Sequence, residues 1–180
     1  MNDHLPDCLT AQHLQLFGAI VQWFARYELL MQEIMAALCG TDAAAVMLLT
    51  RRLDFGGKRA TLLDLLRQRR IPMDQFDRIC AYLLIPHTYA PLRHDVAHSA
   101  WTSSQHSGAV QPNWIIGLPS GITPLQDDFN ALTETFIERT DMEFNYTIGD
   151  LKEIVRILAD NHEALSDYIH EVGMVRISRT

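Results

Sequence analysis

A long stretch of regularly spaced apolar residues near the start of the chain constrains the fold more than any other feature. Between Leu9 and Cys39, apolar side chains recur mostly at three- and four-residue steps, and no proline interrupts them. This spacing places them along one side of an α-helix. Gly40 follows directly and suits the left-handed position at which helices commonly end. The sequence therefore predicts one long amphipathic helix that stops at Gly40.

Further helix signals follow in quick succession. Asp42 can cap a second helix that runs through Leu53. The run Phe55-Gly56-Gly57 is expected to break that helix before a third one, Lys58–Arg70, whose leucines provide a core face. This part of the chain therefore predicts short helices joined by tight connections.

A fourth helix is predicted to open at Pro72, with Asp74 in its first turn. Its inward face is expected to carry four apolar residues, Phe76, Ile79, Leu83 and Leu84. Pro86 and Pro91 should kink or interrupt it, since each removes a backbone donor and clashes with the preceding turn. A new helical segment is expected to begin at Pro91 and to include Leu92–Ser99.

The segment that follows has a different character. A small polar loop lies between two apolar stretches, which predicts a short β-hairpin within Trp101–Leu118. Another helix is expected from Thr123 to about Arg139, and a capping box at Thr147–Asp150 precedes a last one, Leu151–Val172. The predicted fold is all-α, a helical bundle in one domain over residues 1–180 with a small β-hairpin insertion.

Composition sets the class of protein. The 180 residues are 48% apolar and 21% charged, which suits one globular domain with a sizeable core. No apolar run approaches the length of a membrane-spanning helix, so no membrane association is expected. Three scattered cysteines suggest neither a disulfide framework nor a cysteine-built zinc site. We therefore expect free thiols and a cytoplasmic location.

Charge is distributed unevenly along the chain. Arg51–Arg70 holds seven basic residues against two acids, whereas Leu125–Glu171 holds twelve acids against three basic residues. Such polarity could steer a polyanion to one face of the protein. The alternative is that these charged residues only form the solvent-exposed faces of two helices.

One dense group of chemically capable side chains stands out, Arg93-His94-Asp95-Val96-Ala97-His98. It follows a long predicted helix and precedes Trp101, the hairpin and two more helices. In this context the chain resembles the HEPN superfamily (higher eukaryotes and prokaryotes nucleotide-binding), helical bundles marked by an arginine, a polar residue, a short gap and a histidine. Arg93, His94 and His98 match that signature one by one, and the resemblance extends from Leu9 to about Val172.

The resemblance implies a metal-independent endoribonuclease without cofactor, in which the ribose 2′-hydroxyl attacks the adjacent phosphate. His98 would move the proton, since histidine titrates near neutral pH, and Arg93 would stabilise the charge on the phosphate. His94 and Asp95 would orient the pair or the substrate. RNA is the expected partner because DNA lacks the attacking hydroxyl. The candidate RNA-binding residues are basic side chains of the third helix, Lys58, Arg59, Arg67, Arg69 and Arg70.

Helix geometry adds a separate constraint. Arg93 and His98 lie roughly 140° apart around an ideal helix, whereas His94 and His98 are about 40° apart and share a face. One copy therefore makes a poor self-contained site. A homodimer would pool two arginines and up to four histidines in one cleft, an arrangement that the HEPN resemblance also implies. A role as a toxin or in defence, with a cognate inhibitor protein, follows from the same resemblance.

Two alternatives use the same residues. A non-catalytic helical module could bind nucleotide, RNA or a partner protein through this cleft. A metal-dependent hydrolase could use His94, Asp95 and His98, which resemble the zinc-peptidase pattern with aspartate in place of glutamate. The missing third ligand would then come from His87, His106 or Glu163.

Other conspicuous residues have simple structural interpretations. Trp23, Phe24 and Tyr27 are expected in the core or at a dimer interface. His162 and His170, on the acidic last helix, are expected to be solvated.

Overall fold

A computed structural model describes residues 8–104, 107–113 and 145–174 of the chain. Across these residues the fold is mainly helical with a small antiparallel sheet, which confirms the predicted all-α class with a β insertion. The helices are α1 (Ala11–Cys39), α2 (Ala43–Thr50), α3 (Phe55–Gln68), α4 (Met73–His98) and α5 (Ile148–Glu171). The strands are β1 (Ala100–Ser103), β2 (Ala109–Asn113) and β3 (Tyr146–Thr147). The predicted helix Thr123–Arg139 lies outside the described residues.

Local capping signals set most of the helix boundaries, and those at Gly40, Asp42 and Thr147 were predicted from the sequence. Thr10 caps α1 by accepting a hydrogen bond from the His13 backbone, and Gly40 ends that helix at φ 67°. Asp42 caps α2, although this helix ends at Thr50 rather than Leu53. Thr147 and Asp150 form the expected capping box of α5. These helix ends are therefore encoded by residues within a few positions of them.

The start of α3 differs from the sequence prediction. The two glycines lie inside α3 and not in a break before it, because α3 already begins at Phe55. Asp54 caps the helix by accepting a hydrogen bond from the Gly57 N–H at 2.7 Å. A Cβ at position 57 would lie 3.1 Å from the Asp54 carboxylate and 3.3 Å from the Leu53 Cβ. Gly57 thus allows the cap and the first turn to approach closely.

The predicted hairpin is present and gains a third strand. β1 pairs with β2 antiparallel, with Trp101 opposite Pro112, and β2 pairs in turn with β3, with Val110 opposite Tyr146. Strand β3 was not predicted, because a strand of two residues is too short to show an alternating pattern. Residues 114–118 of the predicted hairpin lie outside the described part of the chain.

Helix α1 is the centre of the bundle and packs against α2, α3, α4 and α5. Ile20, Phe24, Tyr27, Met31 and Ile34 are completely buried along it. Phe24 and Tyr27 are thus core residues, as expected, and Trp23 is half-buried beside them.

Helix α4 also differs from the prediction, since it continues as one helix of 26 residues through both prolines. Pro86 has no N–H to donate to the Tyr82 carbonyl one turn earlier, and the side-chain amide of Asn161 on α5 donates to that carbonyl instead, at 2.9 Å. The helix hydrogen bond that is missing at Pro86 is therefore replaced by a donor from another helix. Ile79 and Leu83 face the core as predicted, whereas Leu84 is 54% exposed.

The same amide extends into a buried polar network. Asn161 also donates to the Tyr27 hydroxyl at 2.7 Å, and that hydroxyl donates to the Leu158 carbonyl at 2.9 Å. Burial raises the pKa of Tyr27 to about 12, with the Asn161 hydrogen bond acting in the opposite direction. Tyr27 is thus an uncharged hydroxyl that links α1 to α5, while Asn161 links both helices to α4.

His162 follows Asn161 and is half-buried against two aromatic rings, whereas the sequence interpretation expected a solvated side chain. Its ring lies 5.5 Å from the Trp23 ring and 5.0 Å from the Tyr27 ring, centroid to centroid. Burial lowers the pKa of His162, partly offset by a hydrogen bond to the Arg26 backbone. The neutral imidazole is therefore the form that the fold accommodates.

Replacing Asn161 with leucine should lower the free energy of unfolding by about 1–3 kcal/mol, because the partly buried Tyr82 carbonyl loses the donor that stands in for the missing N–H. Urea denaturation measures this change. In a Pro86→Ala background the same replacement should cost less, since the alanine restores an N–H that can bond to that carbonyl. Equal costs in the two backgrounds would show that Asn161 does not compensate for Pro86. Lys152→Ala, on the exposed face of α5, is the control and should change stability little.

Lowering the pH from about 7 towards 5 should reduce stability through His162. Its folded pKa lies below the ordinary value of about 6.5, so the unfolded chain binds the proton first and protonation favours unfolding. One such group contributes at most about 1.4 kcal/mol per pH unit. His162→Gln should flatten the pH dependence of the unfolding free energy in this range. An equally steep dependence in that variant would assign it to other groups.

Candidate functional site

The Arg93–His98 group occupies the last turns of α4, directly before the sheet. Ser99 caps the helix end, its N–H donating to the Asp95 carbonyl at 2.9 Å, and β1 begins at the next residue. The predicted restart at Pro91 is wrong, because these residues belong to the same helix that begins at Met73. The group therefore has helical spacing throughout.

His94 and His98 form an exposed pair on one face of this helix. Their ring centroids are 4.8 Å apart and the ring planes are inclined by 53°. Both side chains are exposed to solvent. The prediction that these two histidines share a face is confirmed, and two imidazoles lie at one surface point.

Arg93 lies on another part of the helix circumference and is half-buried. Its Nε is shielded from solvent and has no hydrogen-bond partner in the described part of the chain. A guanidinium is always charged and carries five N–H donors in a planar fork. Such a group can bind an anion such as a phosphate through paired hydrogen bonds.

Asp95 differs from the histidine pair in being completely buried. Together with burial, which has the larger effect, its charge raises the pKa of Tyr146 on β3 to about 12. A completely buried carboxylate does not touch a substrate at the surface. The structure therefore places Asp95 in the interior beside the sheet, where its side chain does not contact a substrate at the surface.

Trp101 on β1 anchors the sheet to α1 behind the motif. Its ring lies 4.4 Å from the Phe17 ring and 6.3 Å from the Tyr146 ring, and only 5% of the residue is exposed. The Cys8 thiol donates a hydrogen bond to the Trp101 carbonyl at 3.3 Å. These contacts pack the chain against α1 three residues after His98.

The basic residues of α3 divide into two groups. Lys58 is buried where α3 meets α1, and its ammonium pairs with the Glu28 carboxylate. This placement corrects the expectation that Lys58 contacts RNA, since the charge is already neutralised in the interior. Arg59 is half-buried, with its Nε shielded and without a partner among the described residues.

The exposed arginines of this region lie at the end of α3. Arg67 pairs with Asp64 at 2.9 Å and lies over the Phe76 ring at 5.1 Å. Arg69 and Arg70 are exposed beyond it, and Arg70 has a positive φ of 53°. The part of the predicted basic surface that a polyanion can reach is therefore this helix end.

The geometry also bears on the metal alternative. No group of three or more His, Cys, Asp or Glu side chains able to hold a metal ion occurs within residues 8–104, 107–113 and 145–174. His94 and His98 do lie together, but Asp95 is buried away from solvent. His106, one of the candidate third ligands, lies outside the described residues.

Glu163, another candidate third ligand, lines a separate recess between α1 and α5 with a volume of about 420 Å³. Trp23 and Arg26 form one side, with the guanidinium 4.5 Å from the Trp23 ring centroid, and His162 lies against them. This recess was not predicted. One sequence feature could have predicted that His162 faces α1. It lies four residues after Leu158 and three before Leu165, which places it on the inward face of α5.

Among the described residues, no single helix combines the length and apolar character that crossing a membrane requires, although α1 and α2 together, bent by 113° to each other, have both.

Comparison with known proteins gives no match, whether with family models, with curated proteins or with solved structures. The function of this chain is therefore inferred from its own residues and their geometry.

Proposed function

We propose that this chain is a metal-independent endoribonuclease whose site is built from Arg93, His94 and His98 at the end of α4. The observation that carries the proposal is the exposed histidine pair, with ring centroids 4.8 Å apart, next to an arginine whose Nε has no partner in the described part of the chain. Transfer of a phosphate to the ribose 2′-hydroxyl requires one group to take a proton and one to give it back. Two imidazoles at one surface point supply both functions near neutral pH.

Arginine completes the chemistry. Negative charge accumulates on the phosphate oxygens as the 2′-hydroxyl attacks, and a permanently charged planar fork stabilises it through paired hydrogen bonds. The leaving 5′-oxygen takes up a proton, and the products are a cyclic phosphate and a free hydroxyl. Each step uses only side chains of this motif, contributed by two copies of the helix end.

The proposal includes a homodimer. Arg93 and His98 point in different directions from one helix, so a second copy brings an arginine of one protomer towards histidines of the other. Three apolar residues of α1 that are at least partly exposed, Leu14, Val21 and Leu29, support association with a second copy. A role as a toxin or in defence, restrained by an inhibitor protein, belongs to the same proposal, as does a cytoplasmic location.

Purified protein should cut single-stranded RNA in the presence of a chelator, leave cyclic phosphate ends and spare DNA of the same sequence. His98→Ala should reduce the cleavage rate about 10²–10⁴-fold by removing a proton carrier, and Arg93→Ala about 10²–10³-fold. His87→Ala is the matched control, because His87 is exposed on the same helix. Circular dichroism should show all three variants folded.

Two outcomes would contradict parts of this proposal. Folded protein that binds RNA without cutting it would favour the non-catalytic module, and cleavage that stops on adding chelator would favour a metal-dependent hydrolase. The dimeric site has its own test, since mixing Arg93→Ala with His98→Ala protomers should restore about a quarter of the wild-type activity. No recovery on mixing, or a monomer in sedimentation at micromolar concentration, would exclude the shared site.

Neutralising the exposed end of α3 should weaken RNA binding without changing turnover at saturating RNA. In the triple variant Arg67→Gln, Arg69→Gln and Arg70→Gln, the slope of log affinity against log salt should fall by about 0.7 for each RNA phosphate that the protein no longer neutralises. Filter binding at several salt concentrations measures this slope. Arg156→Gln is the control, since Arg156 already pairs with Glu153 and Asp160. An unchanged slope in the triple variant would show that these charges only solvate the helix.

A further inference from the structure

Helix α2 presents an apolar surface to solvent that no element in the described part of the chain covers. Met47, Leu48 and Leu49 are 46%, 62% and 82% exposed, and the helix Ala43–Thr50 contains no charged residue. Single exposed leucines are ordinary in soluble proteins, whereas adjoining ones mark a surface that binds something. The question is what this short helix contacts.

Helix α2 is attached to the bundle through one side. Val46 and Thr50 are buried where α2 packs against α1, and the Gln32 side-chain amide of α1 donates to the Thr50 hydroxyl at 3.4 Å. At about 100° per residue, the two buried positions lie about 40° apart around the helix. Most of the remaining circumference, with its three large apolar side chains, faces outward.

We propose that α2 is a membrane-contact helix, which inserts Met47, Leu48 and Leu49 into the surface of an anionic lipid bilayer. A helix of eight residues lies in such a surface and is too short to cross it. The expectation of no membrane association rests on the lack of a membrane-spanning apolar run, and surface contact requires no such run. The proposal does not depend on the ribonuclease activity.

The directions of the three side chains favour lipid over a protein partner. Consecutive residues point about 100° apart, so Met47 to Leu49 cover about 200° of the circumference. A protein surface contacts one side of a helix, whereas acyl chains surround every side chain that enters them. The helix is also only about 12 Å long, and by itself it does not supply the roughly 800 Å² per partner of a standard protein interface.

The charges at the ends of α2 favour anionic lipid. Arg51 and Arg52 directly follow the helix, both are exposed, and neither forms an ion pair with any described residue. Guanidinium groups pair well with phosphate oxygens, which lipid headgroups carry. The nearest acids in sequence, Asp42 and Asp54, each cap a helix by accepting a backbone N–H at 2.7 Å. The net charge of −7 opposes this contact little, because charges more than about 8–10 Å away are screened at physiological salt.

The test is flotation of purified full-length protein with two kinds of vesicle, phosphatidylcholine alone and a two-to-one mixture of phosphatidylcholine and phosphatidylglycerol. Wild type should bind the mixed vesicles and bind the neutral ones more weakly. The double variant Leu48→Gln and Leu49→Gln should weaken binding about tenfold for each leucine that no longer inserts. Leu84→Gln is the matched control, since Leu84 is 54% exposed on α4. Circular dichroism should show all variants folded, because exposed side chains contribute little to stability.

A second variant tests the charge separately. Arg51→Gln with Arg52→Gln should weaken binding to the mixed vesicles about fivefold for each arginine and leave binding to phosphatidylcholine unchanged. High salt should reproduce this loss with the wild-type protein. Equal binding of this variant and the wild type to mixed vesicles would overturn the preference for anionic lipid.

The outcomes separate a lipid surface from other occupants of α2. Binding to mixed vesicles that is lost in the double leucine variant and kept in Leu84→Gln supports the membrane-contact helix. Wild type that does not float, or that floats no better than the double leucine variant, overturns it. A double leucine variant that changes the oligomeric state in sedimentation, with no vesicle binding by the wild type, would assign this face to a second copy of the chain and overturn the proposal as well.

Discussion

The hydrogen bond from the Asn161 amide to the Tyr82 carbonyl is the interaction on which the rest of the structure depends. Pro86 leaves this partly buried carbonyl without its helical donor, and an unsatisfied buried carbonyl costs up to about 1–3 kcal/mol. A proline at such a position normally kinks or ends a helix. Here α5 supplies the donor, and α4 continues beyond the proline to His98.

That continuity determines the arrangement of the candidate site. Because the last turns of α4 are helical, His94 and His98 fall on one exposed face while Asp95 is enclosed in the interior. If α4 were interrupted before this point, helical spacing would no longer place the two histidines on the exposed face and Asp95 on the buried one. The aromatic contacts of Trp101 then pack the chain against α1 just after the motif, so the histidine pair lies on the last turns of α4, next to the sheet.

The number of residues that separate two interacting groups in the sequence decided whether their interaction could be predicted. Thr10, Gly40, Asp42 and Thr147 act on backbone groups within a few residues, and the caps that they form were predicted or lie at predicted helix ends. The same local geometry predicted the shared face of His94 and His98. The continuity of α4 at Pro86 was not predictable in this way, because the compensating amide comes from 79 residues away. Lys58 shows the same limit, since its partner Glu28 lies 30 residues earlier on another helix.

The Lys58–Glu28 pair also limits how this chain can change over evolutionary time. The Lys58 charge is tolerated inside the bundle because the Glu28 carboxylate is present, and removing Glu28 alone would leave a buried ammonium without its partner. Glu28 itself is partly exposed, so its loss is the costly single change, whereas a joint change of both residues to apolar side chains leaves no unpaired charge. Related chains should accordingly keep both residues or replace both together, and the identity at position 28 should predict the identity at position 58.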